Sequence, residues 1–502
     1  MLRPAAARGG RPPFTSWGPV TVRPWLPVAC LAFAACAAPP RGLPDLVVLH
    51  GRVMDPASGL DAIRTVAIRD GRIIEIAEGP LAGRDTLDAS GLVVAPGFID
   101  LHQHAHDSAA YRVEVLDGTT TALELEGGTA DVDGWYAERV GRSLIHHGVS
   151  VGHEPVRMVV MHDSGTTTAT GPAKRQAATE EELAAIVARI DSGLARGAVA
   201  VGMLIEFTPA ATPWEVVGVF GAAARHDAAV HVHMRVLDEP LWFLEMEEVI
   251  GAAAATGAAA HIVHLQSSLG EDTPRGLQLI RGARDRGLDI TTEIYPYTAS
   301  MSPIEAADND DWEQWPDRRF ARMEWALTGE RLTRESFGRY RAIGGMLVEY
   351  NNPEEVVAAA VADSLPMISS DGILRDGIGH PRVAGTFARV LGHYVREVEA
   401  LSLMEALRKI TIEPARRLER RVPAMAAKGR VQVGADADLV LFDPATVLDR
   451  ATYREPTLPP TGIPHVIVAG VVVVRDGTIQ PEVHPGRPIR APLDSGVTHA
   501  RP

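Results

Sequence analysis

Between Pro96 and about residue 424 the chain alternates short, nearly continuous apolar runs with longer Ala-rich segments of helical period. The runs at 98–104, 119–126, 158–163, 198–207, 228–235, 260–266, 289–297 and 365–371 are too short for helices, which predicts strands covered on both faces. Apolar residues three and four apart predict helices over 180–197, 214–227 and 274–287, each lying between two of those runs. Eight strands with intervening helices predict an α/β fold of the (β/α)8, TIM-like barrel type, with its functional groups at the C-terminal strand ends. Only the stretch 304–344 breaks the rhythm. Its Trp312, Trp315 and Trp325 and mixed charges predict an insertion packed onto the barrel, with a lid over the barrel mouth as the other arrangement.

Outside that region the period changes. From 45 to 94, and again from 434 to 480, short β-branched runs are separated by tight turns such as Asp70-Gly71, Ser90-Gly91 and Asp476-Gly477. Neither piece has enough strands to cover both of its faces, so pairing the two ends in one small β-sandwich would stabilise both. The expected organisation is a leader over 1–40, a composite sandwich from 41–95 plus 425–485, a barrel over 96–424 and a tail over 486–502.

Composition adjusts this picture in three places. The 502 residues are 46% hydrophobic, enough for a barrel-sized core and a smaller domain. A net charge of -15 argues against a nucleic-acid surface. The first forty residues hold Arg3, Arg8, Arg11 and Arg23, no acid, and an apolar run from Trp25 to Ala38, which predicts an export signal cleaved near Ala35-Cys36-Ala37. That run is too short to span a bilayer well, so no membrane span is expected. Lipid attachment at Cys36 is a variant of the export reading, and a mis-assigned start with a disordered extension is the rival to it. Both cysteines, Cys30 and Cys36, fall in the leader, so the mature chain would carry no disulfide.

The predicted strand ends then bring chemistry together. The first run ends in His102-Gln103-His104, and residues two apart on a strand face the same way, so both imidazoles can aim at one ion while His106 lies beyond the strand. Later runs end in His233, His264 and Asp371. A lone strand-end histidine is more often a satisfied polar residue than a ligand, and His153, His162, His231 and His261 are read that way. Glu124 and Glu126 share one face of an otherwise apolar strand, a costly arrangement unless a cation or hydrogen bonds compensate it. Glu126, nearer the strand end, is the expected ligand and bridges two ions if two are bound; Glu124 is expected to support it. Nitrogen and oxygen ligands without a thiol favour zinc, one ion or two, over other divalent metals. Such an ion would yield hydroxide near neutral pH, Asp371 could also move a proton, and the implied reaction is hydrolysis of a small-molecule amide.

These residues occur in an ordered set: PGFIDLHQH at 96–104, His233-Met234-Arg235, His264, Ser370-Asp371-Gly372 and the block from His380-Pro381-Arg382 to Glu397. With the closing RVQVGADADLVLFDP at 430–444, the set resembles the amidohydrolase superfamily, and within it the N-acyl-D-amino-acid deacylases, or D-aminoacylases, over about residues 44–480. The resemblance implies a barrel capped by a split sandwich, one or two zinc ions, and substrate-binding roles for Arg235, Tyr295 and Arg382. Two departures stand out. The resemblance implies a metal-binding cysteine where this chain has Leu125-Glu126-Gly127, so that a carboxylate takes its place, and a substrate-binding lysine where it has Gln266. A carboxylated lysine is excluded, because Lys174, Lys409 and Lys428 are the chain's lysines and none lies at a predicted strand end. The change at Gln266 leaves a cyclic amide or a D-dipeptide as alternative substrates, and a non-catalytic binding protein on the same fold as the remote one.

Overall fold

The computed structural model describes residues 42–166, 168–235 and 241–494. The leader with Cys30 and Cys36, and the last residues of the expected tail, lie outside the described residues.

The barrel strands are β1 (Phe98–Asp100), β2 (Thr119–Thr129), β3 (His146–Gly152), β4 (Val201–Leu204), β5 (Ala229–His233), β6 (Ala259–Ile262), β7 (Ile290–Ile294) and β8 (Met367–Ile368). They pair in sequence order, all parallel, from β1 across to β8. Between β8 and β1 the wall is closed above the strands, where the His104 amide donates to the Gly372 carbonyl at 2.8 Å and the Ser370 amide to the Asp100 carboxylate at 3.0 Å. The intervening helices begin where the chain supplies caps. Thr179 and Glu182 form a reciprocal capping box at the start of Glu180–Ala195, and Thr212 caps Pro213–Arg225 with proline in its first turn.

One strand is not where the pattern places it. The run at 158–163 begins inside the helix His153–Val160, and the third strand is instead His146–Gly152, buried along its whole length. Short apolar runs carry no period that separates strand from helix, so packing decides. It selects 146–152 because Gly148 admits the Ile489 carbonyl at a distance no β-carbon would tolerate. The segment expected as a tail therefore packs against the barrel over 486–494, its Ile489 amide donating to the His147 carbonyl at 2.7 Å and its Ala491 amide to Gly197 at 3.0 Å.

The two ends of the chain do share one sheet. Strand Leu439–Phe442 runs antiparallel to Val93–Pro96, with Leu439 opposite Pro96 and Phe442 opposite Val93, and joins the C-terminal strands to Leu46–Asp55 and its neighbours in a nine-stranded sheet. A common apolar core draws Leu46, Val53, Val66 and Ile73 from one segment and Leu439, Leu441 and Ile467 from the other. The insertion forms a four-stranded antiparallel sheet. Trp315 and Trp325 sit in its own core with Phe320 and Phe337, and Trp312 packs against them, so the tryptophans pack the insertion. Lys174 fastens it to the barrel through Asp310, 2.8 Å away. Among the described residues no helix is long and apolar enough to cross a membrane.

Candidate metal centre

At the C-terminal mouth the six expected ligands stand in two groups: His102, His104 and Asp371; and Glu126, His233 and His264. In the first, His102 Nε2 and His104 Nε2 are 3.1 Å apart, and Asp371 Oδ1 lies 3.4 and 3.3 Å from them. In the second, His233 Nδ1 and His264 Nε2 are 3.1 Å apart, and Glu126 Oε1 lies 2.9 and 3.0 Å from them. Glu126 belongs to both, because its Oε2 is 3.2 Å from His102 Nε2 and 3.2 Å from His104 Nε2. Ligands about 2.0–2.1 Å from a tetrahedral ion stand about 3.3 Å from one another. Both groups are close to that spacing, and the donor set of imidazole nitrogens and carboxylate oxygens suits a divalent ion. Two cations bridged by one carboxylate fit the residues present.

The strands explain how one glutamate reaches both groups. Pairing of β2 with β3 slips between Glu124 and Thr129, so the end of β2 bulges. Gly202 on β4 makes room for it, since a β-carbon there would stand 2.2 Å from the Glu126 carbonyl oxygen. Both carboxylates still turn to the site. Glu124 Oε2 meets His104 Nδ1 at 2.8 Å, while its Oε1 accepts from the Gly127 amide at 2.9 Å.

Each of three histidines rests its remote nitrogen on a carboxylate. Besides His104 with Glu124, His102 Nδ1 meets Glu293 Oε1 at 2.6 Å, and His233 Nε2 meets Glu206. Such partners set the tautomer and hold the ring in place. Glu206 and Glu293 were not among the expected residues. The signal that marked Glu124 and Glu126, an acid within an apolar strand, applies equally to Glu293 in β7 and to Glu206 just after β4.

Electrostatics agree with a positively charged centre. Burial alone would raise the Glu126 carboxyl, but attraction from His102 and His233 outweighs it and holds the group well below the usual carboxylate range. Burial likewise opposes charging His102, yet Glu126, Asp371 and Glu293 carry it up to about 10. Asp371 is lowered against burial by Arg382 and His102. A metal ion bound here would displace those protons.

The substrate-binding candidates divide. Arg382 is buried, and its Nη2 donates to Asp371 Oδ2 at 2.8 Å, while its Nε and Nη1 have no hydrogen-bond partner among the described residues. Tyr295 lies under it, the guanidinium carbon 4.5 Å from the ring centroid, and the Tyr295 hydroxyl bonds Ser267 at 2.9 Å. Arg235 is engaged elsewhere. Its guanidinium is held by Glu248 at 3.1 Å and by the Pro209 and Ala211 carbonyls at 2.7 and 2.8 Å, so in this structure it braces the loop after β4. Gln266 is buried, donating to the Tyr295 carbonyl at 3.1 Å and leaving its Oε1 without a partner. His153 is structural, bonded to Glu215 at 2.8 Å. All three lysines lie in structural ion pairs or carbonyl bonds away from the two ligand groups.

A parallel barrel that gathers imidazoles and carboxylates at its C-terminal mouth, with a buried arginine beside them, defines a metal-dependent hydrolase. Comparison with known proteins narrows the class. The model of the Amidohydrolase family matches residues 152–474. The N-acyl-D-glutamate deacylase of Alcaligenes xylosoxydans xylosoxydans is 31% identical over 497 residues, covering 89% of this chain and 96% of that one. The D-aminoacylase of the same organism is 29% identical, covering 88% and 97%. The crystal structure of the N-acyl-D-glutamate deacylase from Bordetella bronchiseptica, complexed with zinc and a phosphonate inhibitor, superposes with a TM-score of 0.78 at 27% identity, over 89% of this chain and all of that one. This chain belongs to the amidohydrolase family.

Proposed function

We propose that the protein hydrolyses the amide bond of N-acyl-D-amino acids, with zinc as the first choice of metal. One ion would be held by His102, His104, Asp371 and Glu126, and a second by Glu126, His233 and His264. The observation that carries this reading is Glu126, whose two oxygens each face a separate pair of imidazole nitrogens at 2.9–3.2 Å. The deacylase activity of the relatives supports the substrate class.

A divalent ion supplies Lewis acidity, polarising a carbonyl and making water acidic enough to ionise near neutral pH. The protein supplies the rest. Asp371 stands where it can take a proton from the attacking water and pass it to the departing nitrogen, ending with a free carboxylate and a free amine. Arg382 keeps Asp371 ionised through its Nη2 and offers Nε and Nη1 to the carboxylate of the substrate. Tyr295 holds the guanidinium plane from below. Gln266, a neutral amide where relatives carry lysine, leaves Arg382 as the main cation for that carboxylate.

The test is a panel of N-acetyl-D-amino acids assayed beside dihydropyrimidines and D-containing dipeptides. The N-acetyl-D-amino acids are expected to be the preferred group, and Asp371→Asn is expected to lose at least about 100-fold in kcat with metal content retained. Full activity in Asp371→Asn, or turnover confined to cyclic amides, would overturn the reading. We also read residues 1–40 as an export signal, with attachment through Cys36 as its variant. The support is the four arginines, the absence of acids and the apolar run before Ala37.

A further inference from the structure

Barrel interiors are ordinarily filled by layers of branched apolar side chains. One layer here is polar. The registers of β4 to β7 place Gly202, His231, His261 and Thr291 in a single row across the sheet. His231 and Thr291 precede His233 and Glu293 by two residues, so the row lies one layer beneath the metal centre. His231 and His261 are shut off from solvent, with ring centroids 4.5 Å apart.

The two imidazoles differ in what they touch. His261 Nδ1 is 2.7 Å from the Thr291 hydroxyl, and its Nε2 is 3.2 Å from Glu293 Oε2. The same Glu293 oxygen accepts from the Ser369 hydroxyl, and its other oxygen meets His102 Nδ1 at 2.6 Å. A continuous hydrogen-bonded line therefore runs from Thr291 through His261 and Glu293 to His102. His231 only stacks on this line, and its Nε2 has no partner among the described residues.

We propose that His261 is a positioning residue for the metal centre, anchoring Glu293 from below so that Glu293 holds the His102 ring with Nε2 turned towards the ion. An ionised Glu293 accepts hydrogen bonds and donates none, so it requires Nε2–H on His261 and Nδ1–H on His102. Thr291 completes the arrangement by donating its hydroxyl proton to His261 Nδ1. With a metal ion bound, His102 would give up its Nε2 proton, and that nitrogen would face the ion beside Asp371 and Glu126. Burial lowers the pKa of His261, in line with this assignment. Anchored only by Ser369, Glu293 would be free to swing and the His102 ring with it.

The inference rests on the metal reading above, and zinc affinity separates the two. Zinc alone is titrated into the stripped full-length protein against a chromophoric chelator. His261→Leu, which fills the space without a donor, is expected to weaken binding about ten-fold or more. His261→Gln, which keeps an N–H near the Nε2 position, is expected to stay within about three-fold of the unaltered protein. His231→Leu is expected to change stability and leave zinc affinity unchanged. His261→Leu binding as tightly as the unaltered protein would overturn the inference, as would a ten-fold loss in His261→Gln. Equal losses in His231→Leu and His261→Leu would overturn it too, because they would point to general loosening of the core. If His261→Leu fails to fold, His261→Asn, too short to reach Glu293, takes its place with the same ten-fold loss expected, and unchanged binding in it would overturn the inference. An unaltered protein that binds no zinc would remove the metal reading itself.

Discussion

At Glu126 one side chain faces four imidazoles, and its position on a bulged strand end is what allows each oxygen a different pair. Histidines elsewhere in the barrel are governed by burial instead. His147 is enclosed by Tyr111, Trp135 and Tyr136, with ring centroids 6.0–6.4 Å away, and burial lowers its pKa to about 4. The unfolded chain takes up this proton from about pH 6.5, whereas the folded protein resists until about 4. Between those values the unfolded state binds more protons, so stability is complete above pH 6.5 and falls as the pH drops. The loss reaches about 3 kcal/mol at most for a shift of this size. His147→Phe should therefore flatten the pH dependence of the urea midpoint between pH 6.5 and 4.5, and an unchanged slope would assign the acid sensitivity to other groups.

Among the elements, the join between the terminal sheet and the barrel carries a buried ion cluster. Asp438, just before strand Leu439–Phe442, receives Lys428 at 2.6 Å, the Ala469 amide at 2.7 Å and His146 of β3 at 3.0 Å. Burial would raise this carboxyl, but Lys428 and His146 outweigh it and hold it far below its ordinary value. Removing one member of a buried, fully bonded group strands the others, so Asp438→Asn should destabilise the protein by about 3 kcal/mol. Equilibrium unfolding in urea measures this, and a cost below about 1 kcal/mol would show that the clasp contributes little. The insertion is a contrasting element, with its own aromatic core and its link to the barrel at Lys174 and Asp310.

For the whole molecule, the metal centre ties together strands from all sides of the barrel. Its candidate ligands follow or end β1, β2, β5, β6 and β8, and their supporting acids come from β2, β7 and the end of β4. Any ion bound there stabilises only the folded arrangement, because the unfolded chain scatters the ligands. Stripping the protein with a chelator should lower its melting temperature. Restoring zinc to 100 times its dissociation constant should return about 2.7 kcal/mol of stability. Identical melting curves with and without metal would mean that the ligands are held in place by their carboxylate partners alone.

How far this was legible from the chain depends on the kind of information each feature needs. The sequence by itself determined the barrel, through apolar runs of which seven hold its strands, and the pairing of the two ends, through their shared turn-and-strand texture. It also pointed to the candidate histidines and acids that the structure gathers in two groups, because a polar residue closing an apolar strand is visible in one dimension. It did not determine that 146–152 and not 158–163 is the third strand, since both are short apolar runs and the close approach of Ile489 to Gly148 selects between them. Nor did it show that Arg235 is consumed by Glu248, or that Glu206, Glu293 and His261 stand behind the ligands. Those assignments depend on which side chains come within hydrogen-bonding distance, from Arg235 and Glu248, 13 residues apart, to His102 and Glu293, 191 apart. Folding of the barrel sets those distances, and the order of residues along the chain does not display them.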